Sequence, residues 1–280
     1  MFEPVTRLEP FATDRPPCGG EVRRHVGGAS KRAVSSLAMP GRSITKVAKA
    51  AGPKKGHGQT IRRSGLSPTQ RAAPKERARP ILTRLAKAYP DWGPTLEFET
   101  PLDLLVATIL AAQARDERIN EITRELFKRY RTARDYARVE QATLESQIKA
   151  SGFFRNKAKA IRNMSQGLIE KFDGEVPSDM DGLTQLYGVG RKTASIVLGA
   201  AFRKPAIAVD RHVERVATRL GLAKKGTDGV ERGLAELYPK KDWYKVTWTF
   251  VLHGRRTCMP TPACPRCPVL DLCPYPKKTV

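Results

Sequence analysis

Apolar residues recur at helical spacing along most of the chain after residue 79. Thr100 followed by Pro101 is typical of a helix start. The apolar positions after it repeat at i, i+3, i+4, i+7 and i+8: Leu102, Leu105, Val106, Ile109 and Leu110. An earlier helical stripe begins at Pro80, and the same period predicts further helices near 117–129, 133–138, 141–150, 156–172, 191–202, 210–220, 228–238 and 242–253. Strand patterning is nearly absent, which predicts an all-α fold.

The stretch from Leu183 to Asp210 predicts two helices joined by a turn, Tyr187-Gly188-Val189-Gly190. Two glycines spaced G-x-G permit positive φ, and the first amides of the following helix lack intrahelical partners. Such a turn can hold a phosphate, although a tight helix-helix corner is an alternative for the glycines alone. The basic pair directly after the turn, Arg191 and Lys192, favours the phosphate site.

Lys192 and Asp210 are the candidate reactive pair. Helix 191–202 would be about 18 Å long and segment 203–209 reaches about 23 Å when extended, so Asp210 can return beside Lys192. The helix dipole and the like charge of Arg191 disfavour the ammonium form of Lys192, and a neutral amine is a nucleophile. Each residue also has a simpler explanation: Lys192 as a phosphate contact, and Asp210 as a helix N-cap.

Four cysteines near the C-terminus have the spacing C-x5-C-x2-C-x5-C: Cys258, Cys264, Cys267 and Cys273. Without a recognisable secretory signal, this spacing favours a metal site over disulfides. The spacing fits a zinc site and an iron-sulfur cluster equally well. We expect the fifth cysteine, Cys18, to be a free thiol.

The charge balance indicates a polyanionic partner. Lys and Arg number 51 against 28 Asp and Glu, a net charge of +23. Residues 1–79 contain 17 basic and 5 acidic side chains, so the excess is spread over the whole chain. Residues 1–78 lack the apolar residues for a core, which predicts a disordered basic arm that raises DNA affinity. The alternatives are an extension without a role and a start site placed upstream of the true one, since Met39 also precedes a plausible beginning.

We expect an intracellular protein. The N-terminal region contains Glu3, Glu9 and Asp14 and has no apolar run long enough for a signal peptide. No run of about 20 apolar residues predicts a membrane span.

The motifs L-x-G-V-G-R-K-T-A (186–194) and A-V-D-x-H-V (208–213) resemble the endonuclease III family of the helix-hairpin-helix DNA glycosylase superfamily. The resemblance covers roughly residues 79–275. It implies a two-lobed helical fold, with a barrel domain containing the hairpin at 94–204 and an iron-sulfur domain formed by 79–93 and 205–280. It also implies a [4Fe-4S] cluster held by the four cysteines.

The same resemblance implies the role of each site residue. Lys192 would be the nucleophile and Asp210 its carboxylate partner. Gln113 would fill the space left by an extruded base, and Phe153 would be an apolar wedge between base pairs, among the cations Arg155 and Lys157. The hairpin contacts to DNA would come from Gly188, Val189, Gly190 and Arg191.

The implied activity is that of a bifunctional DNA glycosylase and abasic-site lyase, which excises oxidised pyrimidines from double-stranded DNA in base excision repair. We expect a monomer in the bacterial cytoplasm or nucleoid. The chain departs from the family pattern at Tyr187, where proline is usual, and in a first cysteine gap that is one residue shorter and lacks basic residues. Arg255, Arg256 and Arg266 are candidates to replace that basic contact. The alternatives are a mismatch or otherwise divergent glycosylase and a non-catalytic DNA-binding protein.

Overall fold

A computed structural model describes residues 65–279, which lie in one compact unit, Lys55–Val280. The helices of this part are α1 Pro68–Arg71, α2 Pro74–Ala88, α3 Pro101–Leu110, α4 Asp116–Arg129, α5 Ala133–Arg138, α6 Gln141–Ile148, α7 Phe154–Phe172, α8 Met180–Thr184, α9 Arg191–Ala200, α10 Arg211–Arg219, α11 Thr227–Leu237 and α12 Trp243–Arg256. Short 3-10 turns occur at Lys149–Ser151, Lys240–Asp242, Cys264–Arg266 and Leu270–Leu272. Residues 65–279 contain no strand. The all-α prediction is confirmed.

Helix starts follow the capping signals of the sequence. The hydroxyl of Thr100 accepts a hydrogen bond from the amide of Asp103 (3.1 Å), and the Asp103 carboxylate accepts one from the amide of Thr100 (2.9 Å). This reciprocal pair fixes the first turn of α3 where it was predicted.

Helical structure begins earlier than the sequence indicated. α1 and the first turns of α2 lie within the range assigned to the disordered arm, since α2 starts at Pro74 and not at Pro80. Arg77 explains the order of this region: its buried guanidinium donates to the carbonyls of Leu220 (2.6 Å) and Leu272 (3.0 Å). The rest of the predicted arm, residues 1–64, lies outside the described residues.

Two hydrophobic cores divide this unit into two lobes. The first core is built from α3 to α9 and ends near Ala206. The second contains α2 and α10 to α12, together with apolar residues of the C-terminal segment such as Val269 and Leu272. Because the chain enters the second core at α2, leaves it for the first and returns near Ile207, the two lobes are joined twice by the backbone.

Side chains at the junction pack against both cores, namely Ile196 and Tyr244. The Tyr244 ring lies so close to α9 that a Cβ added at Gly199 would meet its Cδ2 at 2.9 Å. The glycine therefore permits the close approach of α9 and α12. The domain bounds 94–204 and 79–93 with 205–280 stay a prediction, because the lobes belong to one unit. Across residues 65–279, every helix is too short or too polar to traverse a lipid bilayer.

Candidate DNA-repair active site

The turn between α8 and α9 uses only one of its glycines for unusual backbone geometry. Gly188 has φ +76°, and a Cβ added there would stand 3.4 Å from the Cβ of Ala160 on α7. Gly190 has φ −87°, which any residue adopts, so the expectation that both glycines supply positive φ was wrong for Gly190. α8 ends at Thr184 and is only a short helix.

The N-terminus of α9 has free donors. Gly190 is the N-cap residue and no side chain caps the helix, so the first-turn amides have no side-chain acceptor within the described residues.

Val189 differs from its neighbours in the motif. Its side chain is buried in the first core, and its amide donates to the carbonyl of Leu186 (3.1 Å). The DNA contact predicted for Val189 stays a prediction.

Arg191, the first residue of α9, is held by the second lobe. Its Nε and Nη2 donate to the two carboxylate oxygens of Glu231 on α11, at 2.8 and 2.7 Å. This bidentate pair holds the pKa of the guanidinium above its ordinary value. The sequence offered no signal for Glu231, because the two residues are forty positions apart on different helices.

Lys192 and Asp210 line the same cleft, which has a volume of about 1070 Å³. Lys192 is exposed in the first turn of α9, and Asp210 is half-buried directly before α10. Gln113 lies on the wall of this cleft too. The cleft also contains residues that the sequence did not single out, namely Thr95, Thr108, Asp116, Thr193, Thr227 and Thr247.

Asp210 caps α10 with one carboxylate oxygen. Its Oδ1 accepts hydrogen bonds from the amides of His212 and Val213, both at 2.8 Å. In the part of the chain that is described, Oδ2 accepts no hydrogen bond, so one oxygen is available to the cleft. Burial lowers the pKa of His212, and the Asp210 carboxylate acts on that pKa in the opposite direction.

Gln113 and Phe153 both have left-handed backbone, with φ +58° and +48°. Few residues other than glycine adopt this region, and strained positions of this kind are common at functional sites. Phe153 is 66 % exposed, and Tyr187 at 53 % is the other large hydrophobic residue exposed among residues 65–279. Lys157 does not flank the wedge as a free cation, because its side chain is buried. The expectation that Lys157 is one of the cations beside the wedge was therefore wrong.

A second groove of about 570 Å³ shares residues with the main cleft and extends toward the cysteine segment. Its cationic lining consists of Arg115, Arg211, Arg215 and Arg255. The three arginines proposed to replace the basic loop contact are all engaged. Arg255 pairs with Asp116 (3.1 Å), Arg256 with Asp91 (Nη1 to Oδ1 3.0 Å), and Arg266 donates to the carbonyl of Arg256 (3.2 Å).

The four cysteines of the C-terminal segment are free thiols. Their sulfurs are close enough to act on one another electrostatically, and burial raises the pKa of Cys267 to about 12. In residues 65–279, no three His, Cys, Asp or Glu side chains converge closely enough to hold one metal ion. Four cysteine thiols in one segment are the donor set of an iron-sulfur cluster and also of a zinc site.

Groups of the second lobe surround the cysteine segment. Arg219 donates to the carbonyls of Met259 (2.6 Å) and Pro260 (2.8 Å), and its Nη1 lies 3.5 Å from the Cys258 sulfur. His253 Nε2 lies 3.8 Å from the Cys267 sulfur, and burial lowers the pKa of His253 to about 4. The Arg219 contacts hold the loop between Cys258 and Cys264, which contains no basic residue of its own.

Comparison with known proteins agrees with this architecture. The HhH-GPD superfamily base excision DNA repair proteins match residues 106–240. Endonuclease III of Synechocystis sp. is 45 % identical over 207 residues, which cover 72 % of this chain and 94 % of the relative. Endonuclease III of Bacillus subtilis is 42 % identical over 195 residues, 69 % of this chain and 89 % of the relative.

A solved structure of a trapped endonuclease III–DNA covalent intermediate, an estranged-adenine complex, superposes with a TM-score of 0.70 at 42 % identity. It covers 74 % of this chain and 98 % of the solved chain. The fold and the cleft behind the hairpin thus define a base excision DNA repair protein of the helix-hairpin-helix class. Within that class, the chain belongs to the endonuclease III family.

Proposed function

We propose that this protein is a bifunctional DNA glycosylase and abasic-site lyase that removes oxidised pyrimidines from double-stranded DNA in base excision repair. The observation that carries the proposal is the presence of Lys192, Asp210 and Gln113 on one cleft. The covalent DNA intermediate trapped with a related endonuclease III supports a covalent route.

The reaction begins when the damaged nucleotide is extruded from the helix, because the sugar carbon that bears the base is not accessible in a stacked duplex. The Lys192 amine forms a bond to C1′ while the bond from C1′ to the base breaks, and the electron pair of that bond leaves with the base. The C1′–O4′ bond then breaks as the nitrogen loses a proton and O4′ gains one, which opens the sugar ring and leaves a Schiff base between Lys192 and C1′. The Schiff base acidifies the C2′ proton, and its loss expels the 3′ phosphate oxygen, so the strand breaks 3′ to the lesion.

Asp210 stabilises the positive charge that develops on the sugar as the base departs. One of its oxygens is committed to the α10 cap, which fixes the orientation of the carboxylate. The other oxygen is free to face the cationic sugar.

The hairpin binds a phosphate next to the lesion through the uncapped amides at the start of α9, from Gly190 onward. Gly188 contributes the turn that exposes these amides. Arg191 adds positive charge at the same end of the helix while its pair with Glu231 limits its movement. Gln113 fills the space of the extruded nucleotide, and the exposed Phe153 ring wedges between neighbouring bases.

The four cysteines hold a [4Fe-4S] cluster in this proposal. Their four free thiols, gathered in one segment, are the ligands that such a cluster takes. When bound, the cluster supplies four iron–thiolate bonds that cross-link the C-terminal segment. Burial raises the pKa of Cys267 and Cys273. Both residues would have to lose their protons to bind the cluster as thiolates.

One feature favours the alternative function, that of a divergent glycosylase that acts on a different range of lesions. Tyr187 is 53 % exposed beside the turn glycine Gly188, where it can reach a nucleotide next to the lesion. The reaction itself does not depend on this side chain. We also propose that the protein acts as a monomer on DNA in the bacterial cytoplasm.

The proposal is tested by borohydride reduction in the presence of DNA that contains an abasic site. Borohydride reduces a Schiff base to a stable amine, so we expect a covalent protein–DNA adduct with the wild-type chain and none with Lys192→Ala. Lys171→Ala, at the exposed C-terminal end of α7, is the matched control and should form the adduct normally. A wild-type protein that forms no adduct would favour the non-catalytic alternative. A panel of lesions, including thymine glycol and mismatched bases, then separates a pyrimidine-lesion enzyme from a mismatch enzyme.

A further inference from the structure

Lys157 is a buried cation with an unusual pair of partners. It is the fourth residue of α7, and only 5 % of its surface is exposed. Its Nζ donates hydrogen bonds to the carbonyl oxygens of Leu110 and Ser151, both at 2.7 Å. No carboxylate within residues 65–279 pairs with this ammonium.

Both carbonyls precede residues that the proposed mechanism inserts into DNA. Leu110 is the last residue of α3, three positions before Gln113. Ser151 ends the 3-10 turn Lys149–Ser151, two positions before Phe153. One ammonium group therefore joins the two backbone segments that lead to Gln113 and Phe153.

Apolar packing alone would not fix these segments as well. α3 and α7 both contribute to the first core, but hydrophobic contacts are not directional. The hydrogen bonds from one charged donor to two carbonyls are short, strong and directional. The C-terminal carbonyls of α3 also carry partial negative charge, which stabilises an ammonium group at that end of the helix. A buried lysine without such partners would be strongly unfavourable, so these bonds must form together when the lobe folds.

We propose that Lys157 is a positioning residue that sets the separation between Gln113 and Phe153, so that the two side chains enter the DNA helix as one unit. The inference rests on the proposed function, in which Gln113 fills the gap and Phe153 wedges the stack. The left-handed backbone of both residues leaves little freedom to correct a displaced segment. Lys157 thus acts on DNA through the two loops and does not touch the nucleic acid.

The test compares Lys157→Met with Lys159→Met. Methionine retains the length of the lysine stem and removes the ammonium, and Lys159 is an exposed lysine on the same helix, so both variants lose the same charge. Each variant is assayed on two substrates. The first is a duplex with one thymine glycol, which requires extrusion and gap filling. The second is a single-stranded oligonucleotide with an abasic site, which requires only the chemistry of Lys192.

For Lys157→Met we expect duplex kcat/KM to fall on the order of 100-fold and single-strand cleavage to change by less than about threefold, since a small misplacement of inserted groups is that costly. Lys159→Met should resemble wild type on both substrates. Equal losses on the two substrates would indicate a merely structural role and overturn the inference, and so would an unchanged duplex activity.

Fluorescence of 2-aminopurine placed opposite the abasic site provides a second readout. Wild-type protein at saturation should raise the fluorescence by unstacking this base, and Lys157→Met should raise it less. An equal rise would also overturn the inference. Should Lys157→Met fail to fold in a urea titration, Lys157→Gln, which keeps a shorter donor, is measured in the same assays under the same criteria. Wild-type protein that forms no borohydride adduct on single-stranded abasic DNA would instead refute the proposed function, whatever the variants do.

Discussion

In the proposed function, Asp210 serves both folding and chemistry. Asp210 was open to two interpretations from sequence, a helix cap or a catalytic carboxylate. The structure shows the cap through Oδ1 and leaves Oδ2 without a hydrogen bond in the described part of the chain. The two roles are therefore compatible, and they can be separated by substitution.

Asp210→Asn should separate them. Asparagine caps a helix about as well as aspartate, so we expect the free energy of unfolding to change by less than about 0.5 kcal/mol. Loss of the negative charge should lower turnover on the order of 100-fold or more, with DNA binding retained. The measurements are a urea titration and single-turnover cleavage of a lesion duplex.

Asp210→Ala provides the comparison, because it removes both functions. It should lose similar turnover and also about 1 kcal/mol of stability. Full activity of Asp210→Asn would show that the carboxylate has no catalytic role.

The sequence predicts which residues form the candidate site better than it predicts the groups to which those residues are hydrogen-bonded. Lys192 and Asp210 follow from motifs and from the reach of the intervening chain. Lys157 was misinterpreted because nothing local distinguishes a buried lysine from an exposed one on a helix that begins with an aromatic pair. Its partners, the carbonyls of Leu110 and Ser151, are backbone groups and leave no trace in the sequence.

At the scale of elements, the hairpin depends on one backbone conformation. Gly188 has φ +76°, and the following residues return to ordinary geometry before α9 begins. The helix that precedes the turn is short, and the buried Val189 side chain and its amide bond to the Leu186 carbonyl help to fix the turn. In the proposed function, the uncapped start of α9 is exposed to DNA only while this turn keeps its conformation.

Gly188→Ala should therefore weaken both folding and phosphate binding. A side chain at positive φ costs about 1–2 kcal/mol, and the new Cβ would stand 3.4 Å from the Cβ of Ala160 on α7. We expect a loss of stability of this size in thermal or urea unfolding, together with weaker binding of abasic DNA. Gly93→Ala is the control, since no atom lies within 4 Å of its added Cβ and its φ is ordinary. Equal stability of the two variants would contradict the role assigned to Gly188.

Helices were the most predictable level of this fold. Apolar spacing and caps depend on local sequence, and α4, α5, α10 and α11 fall within one residue or so of their predicted bounds. α2 is longer than expected because tertiary contacts set its start. Arg77, for example, orders the start of α2 through carbonyls more than one hundred and forty residues away.

At the scale of the whole molecule, the cysteine segment belongs to the second core. Val269 and Leu272 are buried there, and the segment is also held by Arg77 and Arg219. A group that cross-links the four thiols would therefore stabilise the entire lobe that provides Asp210.

Cys267→Ser should test this coupling. We expect less bound iron, weaker broad visible absorbance and a melting temperature lower by at least about 5 °C, because metal binding contributes directly to folding. Iron analysis and thermal unfolding are the measurements. Cys18→Ser, outside the described residues, should match wild type in each. A zinc content in place of iron would refute the cluster.

The two-lobed arrangement itself could not be derived from apolar spacing, because that pattern does not reveal which helices share a core. Its main consequence concerns the reactive pair. Lys192 is carried by a helix of the first core, and Asp210 by the cap of a helix in the second, with Tyr244 seated on Gly199 at the seam. Activity therefore depends on how the two lobes are aligned. A small displacement at this junction would separate Lys192 from Asp210 and abolish activity while every helix remained folded.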